Sequence, residues 1–141
     1  MATFKPEGLD GLILSMEQVA MMPDSVKEDL LNAQADVVVQ AQRKKAREYG
    51  VHRTGLVISS ICKGKPQKRG VDDYVIYVYP RGTRKRGGKR VRNAEIAFIN
   101  EFGKRTQEAR PFMQDANESC AEQTVAAGAA VFDEFLKSKN L

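Results

Sequence analysis

A glycine and a proline eight residues apart constrain this chain more than any other feature. Residues 94–116 read AEIAFINEFGKRTQEARPFMQDA. Ala94, Ala97, Phe98 and Phe102 recur at helical spacing, and Gly103 supplies the left-handed stop that helices favour. Seven mostly polar residues follow. Pro111 then suits a first helical turn, and Phe112 is placed to anchor that turn in a core. Two helices joined by a held loop are expected here. No proton-transfer or metal constellation lies in the stretch.

Upstream, residues 1–8 read as a loose tail. The face Leu9, Leu12, Ile13, Met16, Val19 and Ala20 predicts a first helix, weakened by Gly11. Pro23 breaks it. Asp24 or Ser25 can cap a second helix, with Glu28 in capping-box range of Ser25. That helix is predicted over 26–49, with Val26, Leu30, Ala33, Val37 and Ala41 as its apolar stripe and Gly50 as its stop. Arg43, Lys44, Lys45 and Arg47 crowd its last turns, where cations match the negative helix end.

Thr54 is placed to cap a short turn carrying Leu56, Val57 and Ser60, with Ile61 entering the core. Residues 71–79, VDDYVIYVY, predict a strand with Val75, Tyr77 and Tyr79 on one face and Tyr74, Ile76 and Val78 on the other. Residues 61–65 are expected to pair with it through a turn at 66–70. Only Val91 hints at a third strand. A final helix is predicted over 111–139, with Met113, Ala116, Cys120, Thr124, Ala127, Val131 and Phe135 in register. Its small-residue middle, TVAAGAAV, is read as packing closely on the second helix. The expected class is α+β, a small antiparallel sheet against a long early helix and a long C-terminal helix.

A chain of 141 residues suits one domain. Its charge is polarised: residues 50–110 hold 15 Lys+Arg against 5 Asp+Glu, a balance of +10, and the flanks hold 8 against 13, or −5. Such a chain can attract polyanions or stack on copies of itself. No apolar run approaches the roughly 18 residues of a membrane helix, and the N-terminus lacks a signal-peptide pattern, so an intracellular protein is expected. Cys62 and Cys120 are then two small, unpaired side chains.

The basic pole centres on residues 81–92, RGTRKRGGKRVR. Arg81, Arg84, Lys85, Arg86, Lys89, Arg90 and Arg92 stand among three glycines with no apolar period. An exposed loop or hairpin tip is predicted. It could contact phosphates, dock on an acidic protein surface, or simply stay solvated. It is not a P-loop. Gly82 and Gly87 have the first spacing of that motif, but Gly88 stands where lysine is required, and no hydroxyl follows Lys89. His52 is the only histidine and has no cysteine or carboxylate at ligand spacing. Asp72 and Asp73 are adjacent on a strand and diverge. No activated nucleophile, acid–base pair, metal or cofactor site is visible. A non-enzyme is expected.

The order of these elements resembles a family of small neck or tail-component proteins of long-tailed bacteriophages and prophages, typified by gene product ten of a lambdoid phage. The carriers are Thr54-Gly55-Leu56 through Ser60-Ile61, then Glu101-Phe102-Gly103, and after a short polar loop Ala109-Arg110-Pro111-Phe112-Met113, followed by Asp115-Ala116 and a closing helix. The chain departs from the family pattern in one extra residue before Ser60-Ile61, in its tyrosine-poor approach to Glu101 and in its long basic loop. The resemblance implies a homo-oligomeric ring, six-fold by expectation, at the head–tail junction or the top of the tail tube. Its neighbours would be head-closure or connector and tail-tube proteins, with DNA passing non-specifically through an axial channel. The virion neck, assembled in the bacterial cytoplasm, is the implied location.

Under this reading Glu101, Phe102, Gly103, Arg105, Arg110, Pro111 and Phe112 are subunit-interface candidates, and the 81–92 segment faces the channel or the next ring. The competing reading is a small basic nucleic-acid-binding protein using 81–92. It has no helix-turn-helix, zinc ligands or aromatic ribonucleoprotein motif to support it.

Overall fold

The computed structural model of the chain describes residues 9–51, 55–71 and 73–141, with side chains from Ser15 onward. The expectations for residues 1–8, Leu9, Leu12, Ile13, His52, Thr54 and Asp72 lie outside that description. Among the described residues the order is α1 (Leu9–Ala20), α2 (Asp24–Glu48), α3 (Leu56–Ser60), β1 (Ile61–Lys63), β2 (Gln67–Lys68), β3 (Tyr74–Val75), β4 (Val78–Pro80), β5 (Thr83–Arg86), β6 (Lys89–Arg92), α4 (Asn93–Phe102), α5 (Phe112–Ser119) and α6 (Ala121–Ser138). The fold is α+β, with small antiparallel sheets and long helices toward both ends.

The spine is α2. Its start departs from the capping expectation: Pro23 precedes the first turn in extended conformation, and no side chain caps it. Asp24 turns instead toward Lys68, 3.7 Å away, tying the helix start to β2. The other end closes as Gly50 predicts. At φ 73°, Gly50 donates to Arg47 O and Val51 to Ala46 O, a paired closure that buries Val51 on Ala46. The predicted stripe Val26, Leu30, Ala33, Val37 and Ala41 is only half-buried, and the deepest line is Ala35, Val39, Gln42 and Ala46. α2 has neighbours on more than one side, with α5 and α6 along one flank and β1 and α3 on another. In α1 the expected apolar face is not covered throughout, since Met16 and Ala20 are exposed.

The 71–79 strand is divided. β4 pairs with β1, Lys63 opposite Val78, and β3 pairs with β2, Gln67 opposite Val75. Three residues (64–66) thus oppose two (Ile76 and Tyr77), a bulge at the proline that cannot donate to the ladder. The turn also lies further along than predicted, beyond Arg69, whose N–H donates to Asp73 O.

The C-terminal helix is divided as well. α5 gives way to α6 at Cys120, with φ −100° and ψ 3°. Ser119 Oγ and Thr124 Oγ1 donate to the carbonyls of Ala116 and Cys120, the back-bonding that bends helices. The predicted stripe survives the bend, with Ala116, Cys120 and Phe135 buried and Met113, Thr124, Ala127 and Val131 half-buried. α6 lies along α2, and the contact is close at Gly128, where an added Cβ would stand 2.6 Å from Gln34 Nε2. Within the small-residue run Gly128 is buried and Thr124, Ala127 and Val131 are half-buried, whereas Val125, Ala126, Ala129 and Ala130 are exposed. Phe112 and Ile61 are the largest fully buried side chains, in a core with Val39, Val57, Ile58, Ile96 and Ala97.

Candidate functional site

The glycine-to-proline stretch folds into a clasp. Glu101, at the end of α4, is buried, and its carboxylate accepts the backbone N–H groups of Met113 (2.8 Å) and Gln114 (2.9 Å). Those donors belong to the first turn of α5, where the helix partial charge is positive. Pro111, the N-cap, provides no side-chain cap, so Glu101 caps α5 from another helix. Gly103 has φ 76° and ψ 178°, and a Cβ there would meet Ala109 N at 2.8 Å and Gln107 O at 2.9 Å. The loop folds back so tightly that only glycine fits. Lys104 and Gln107 exchange backbone bonds of 2.9 and 3.0 Å across a two-residue turn, and Arg110 N donates to Asn100 O at 2.6 Å.

This geometry divides the interface candidates. Glu101, Gly103, Pro111 and Phe112 are spent on the clasp and the core. Arg110 is exposed yet donates to Gly50 O at 3.3 Å. Phe102 and Arg105 face solvent. The expected apolar face of α4 is corrected: its buried line is Asn93, Ile96, Ala97 and Glu101. Ala94 is exposed, and Phe98 and Phe102 point outward at 61% and 67% exposure, their ring centroids 4.7 Å apart. Two neighbouring aromatic rings left in water are the largest apolar feature of this face.

The 81–92 segment is a hairpin rather than a loop. Gly87 and Gly88, both at positive φ (57° and 79°), form its two-residue turn, and the register runs from Arg86 opposite Lys89 to Thr83 opposite Arg92. Its base is fixed. Arg81 N donates to Ser60 O at 2.8 Å, and buried Asn93 donates through its backbone to Gly82 O and through Nδ2 to Arg81 O. Arg81, Lys85, Arg86, Lys89, Arg90 and Arg92 are exposed, and Arg84 is half-buried.

Between the hairpin and the clasp lies a cleft of about 700 Å³. Arg84, Lys85 and Arg86 line it from the hairpin, Lys104 and Arg110 from the clasp, with Val51, Leu56 and Ile96 among its apolar walls. No carboxylate lines it among the described residues. Sequence reasoning placed the two basic sets on separate surfaces, and only the fold brings them to one cavity. Arg43, expected to match the negative end of α2, has a further role: its guanidinium donates twice to Ile61 O, at 2.7 and 3.2 Å, and pins β1 to α2.

Elsewhere the electrostatics are structural. The Tyr74 hydroxyl, helped by Lys68 and Lys27, holds the Asp24 carboxyl below its usual range. Asp24 in turn pushes the Tyr74 phenol up. Arg81 is raised by the Tyr79 hydroxyl, to which its guanidinium donates at 3.1 and 3.3 Å. Cys62 is half-buried and Cys120 buried, both as free thiols. Among the described residues no three His, Cys, Asp or Glu side chains come together as metal ligands. No described helix is long and apolar enough to cross a membrane.

The features that stand out on this side of the molecule are the exposed Phe98–Phe102 pair and the basic lining of the cleft. No family profile, curated protein or solved structure matches this chain.

Proposed function

We propose that this chain is a structural subunit that closes with copies of itself into a ring at the head–tail junction or the top of the tail tube of a phage or phage-like tail. The ring would sit in the virion neck, after assembly in the bacterial cytoplasm, against head-closure or connector proteins and tail-tube proteins. Its axial channel would pass DNA. The motif order of the neck and tail-component family supports this assignment.

The observation that carries a self-assembling role is the exposed Phe98–Phe102 pair on a helix whose inner face is already complete. Covering both rings removes on the order of 250 Å² of apolar surface from water, about 6 kcal/mol at ~25 cal/mol/Å² before association costs. The polarised charge adds a means of orienting one copy on the next.

Light scattering across concentration, with negative-stain imaging, tests the reading. The wild-type chain is expected to form rings with a central hole, alone or on isolated tails. Phe98→Ser/Phe102→Ser should abolish them without lowering Tm, because both rings are already in solvent. A chain that stays monomeric at every concentration and ignores isolated tails overturns the proposal.

The cationic cleft favours a second reading, a small nucleic-acid-binding protein acting through 81–92. That protein would bind nucleic acid tightly as a monomer and have no need of Phe102.

A further inference from the structure

We infer that the cleft between the β5–β6 hairpin and the clasp is a binding site for the phosphodiester backbone of a nucleic acid, formed within a single copy of the chain. This deepens the DNA contact of the ring reading, but it does not require ring closure, because every lining residue belongs to one chain.

Five basic residues line this cavity from two segments far apart in sequence: Arg84, Lys85 and Arg86 from the hairpin, Lys104 and Arg110 from the clasp. Ion pairing within the chain does not account for Lys85, Arg86 or Lys104. Among the described residues, the ion pairs are Lys27–Asp24, Lys45–Glu48, Lys63–Asp36 and Lys68–Asp24, and none involves Lys85, Arg86 or Lys104. Gathering like charges in one concavity costs free energy, which an anionic occupant would return.

The supporting frame is stiff. The hairpin base is fastened by Asn93 and the clasp by Glu101 and Gly103, so the cations are held without the occupant's help. The amides in the wall face inward, Gln107 Nε2 donating to Asn100 Oδ1 at 3.1 Å and Asn100 Nδ2 to Ile96 O at 2.9 Å. The donors left for a ligand are chiefly guanidinium and ammonium groups, and guanidinium matches phosphate oxygens in a bidentate fork.

Two features favour a nucleic acid over an acidic polypeptide. The positive surface continues past the cleft through Lys89, Arg90 and Arg92 along a ribbon of about 13 Å. That suits a polymer charged at every repeat, as a duplex is at roughly 1.7 Å per charge. Among the described residues no aromatic side chain lines the cleft. Backbone contact indifferent to sequence follows.

The test is fluorescence anisotropy of two unrelated 20-base-pair duplexes with the full chain, between 50 and 300 mM salt. Both duplexes should bind alike, and log K should fall against log salt with a slope of about −4 to −5, near −0.9 for each of five contacts. Lys85→Ala/Lys104→Ala should keep its Tm, weaken binding about 10- to 100-fold at 100 mM salt and flatten the slope by about 2. Lys137→Ala/Lys139→Ala, at the far end of α6, should change neither.

A slope shallower than −1, or one unmoved by Lys85→Ala/Lys104→Ala, overturns the site. So does poly-glutamate binding that exceeds duplex binding and is lost in the same variant, which would assign the cleft to an acidic polypeptide. The Phe98→Ser/Phe102→Ser chain separates this site from the ring. Retained duplex binding without assembly supports a site within one copy even if the ring reading fails. Loss of binding together with assembly overturns the single-copy cleft and leaves the ring standing.

Discussion

Replacing Glu101 by glutamine changes few atoms yet removes the charge that closes the clasp. The carboxylate accepts two backbone N–H groups, at 2.8 and 2.9 Å, from a buried position at the positive end of α5. Hydrogen bonds to a charged group contribute about 1.5–3 kcal/mol each and neutral ones about 0.5–1.5 kcal/mol. Glutamine keeps one oxygen as a neutral acceptor and turns an NH₂ toward the second donor. The net loss, including the helix-end attraction, is about 2–3 kcal/mol. For a chain of this length, that lowers Tm by roughly 6–12 °C, at about 3–4 °C per kcal/mol.

Differential scanning calorimetry reads the global effect. Amide exchange at Met113 and Gln114, faster by about 30- to 150-fold if the opening is local, reads the cap itself. Glu101→Asp, one methylene short of both donors, should fall between wild type and Gln. A loss below about 0.5 kcal/mol, with unchanged exchange at those two amides, refutes the capping role. If Glu101 were a subunit contact, the substitution would instead alter assembly and leave the monomer's melting intact.

Three further substitutions probe the frame. Gly103→Ala should lower stability by about 2–4 kcal/mol in urea denaturation, since the dihedral strain is joined by a Cβ 2.8 Å from the Ala109 backbone; a near-neutral result would mean the loop does not fold back as described. Gly128→Ala should stay within about 1 kcal/mol of wild type, because helix propensity offsets the displaced Gln34 amide. Gly128→Leu should cost more than about 2 kcal/mol by forcing α6 off α2, and equal melting of the two variants would contradict that close approach. Asp24→Asn should destabilise the chain near neutral pH and lose its effect in acid. The folded carboxyl of Asp24 is held low by Tyr74, Lys68 and Lys27, so its contribution is full above the ordinary carboxylate pKa and fades as pH falls through the folded value. A wild-type-minus-variant difference in urea midpoint that stays constant from pH 7 to pH 3 would rule this out.

Much of the architecture was legible because it is written in local chemistry. The stop at Gly50 needs only a left-handed residue after a helix. The α6 stripe needs only apolar side chains at three- and four-residue steps, and it persists across the bend at Cys120. Those signals depend on neighbours within a turn or two. The aromatic and β-branched content of 71–79 also marked strand, though periodicity could not see the bulge opposite residues 64–66. That bulge depends on which residues across the hairpin lack a donor.

Local chemistry is enough to set the alternation of long helices with short strands, the punctuation by Gly50, Gly103 and Pro111, the burial of Phe112 and the sign of charge along the chain. Which face of α4 turns inside depends on long-range packing. The pattern favoured Phe98 and Phe102, yet Asn93 and Glu101 are buried because each finds backbone partners far along the chain, Gly82 and Arg81 for one, Met113 and Gln114 for the other. Likewise, no local rule joins Lys85 to Lys104 across one cleft. Hydrophobic periodicity records what a residue prefers in isolation, whereas burial of a polar group depends on the partner the fold delivers, and that partner has no mark in the residue's own neighbourhood.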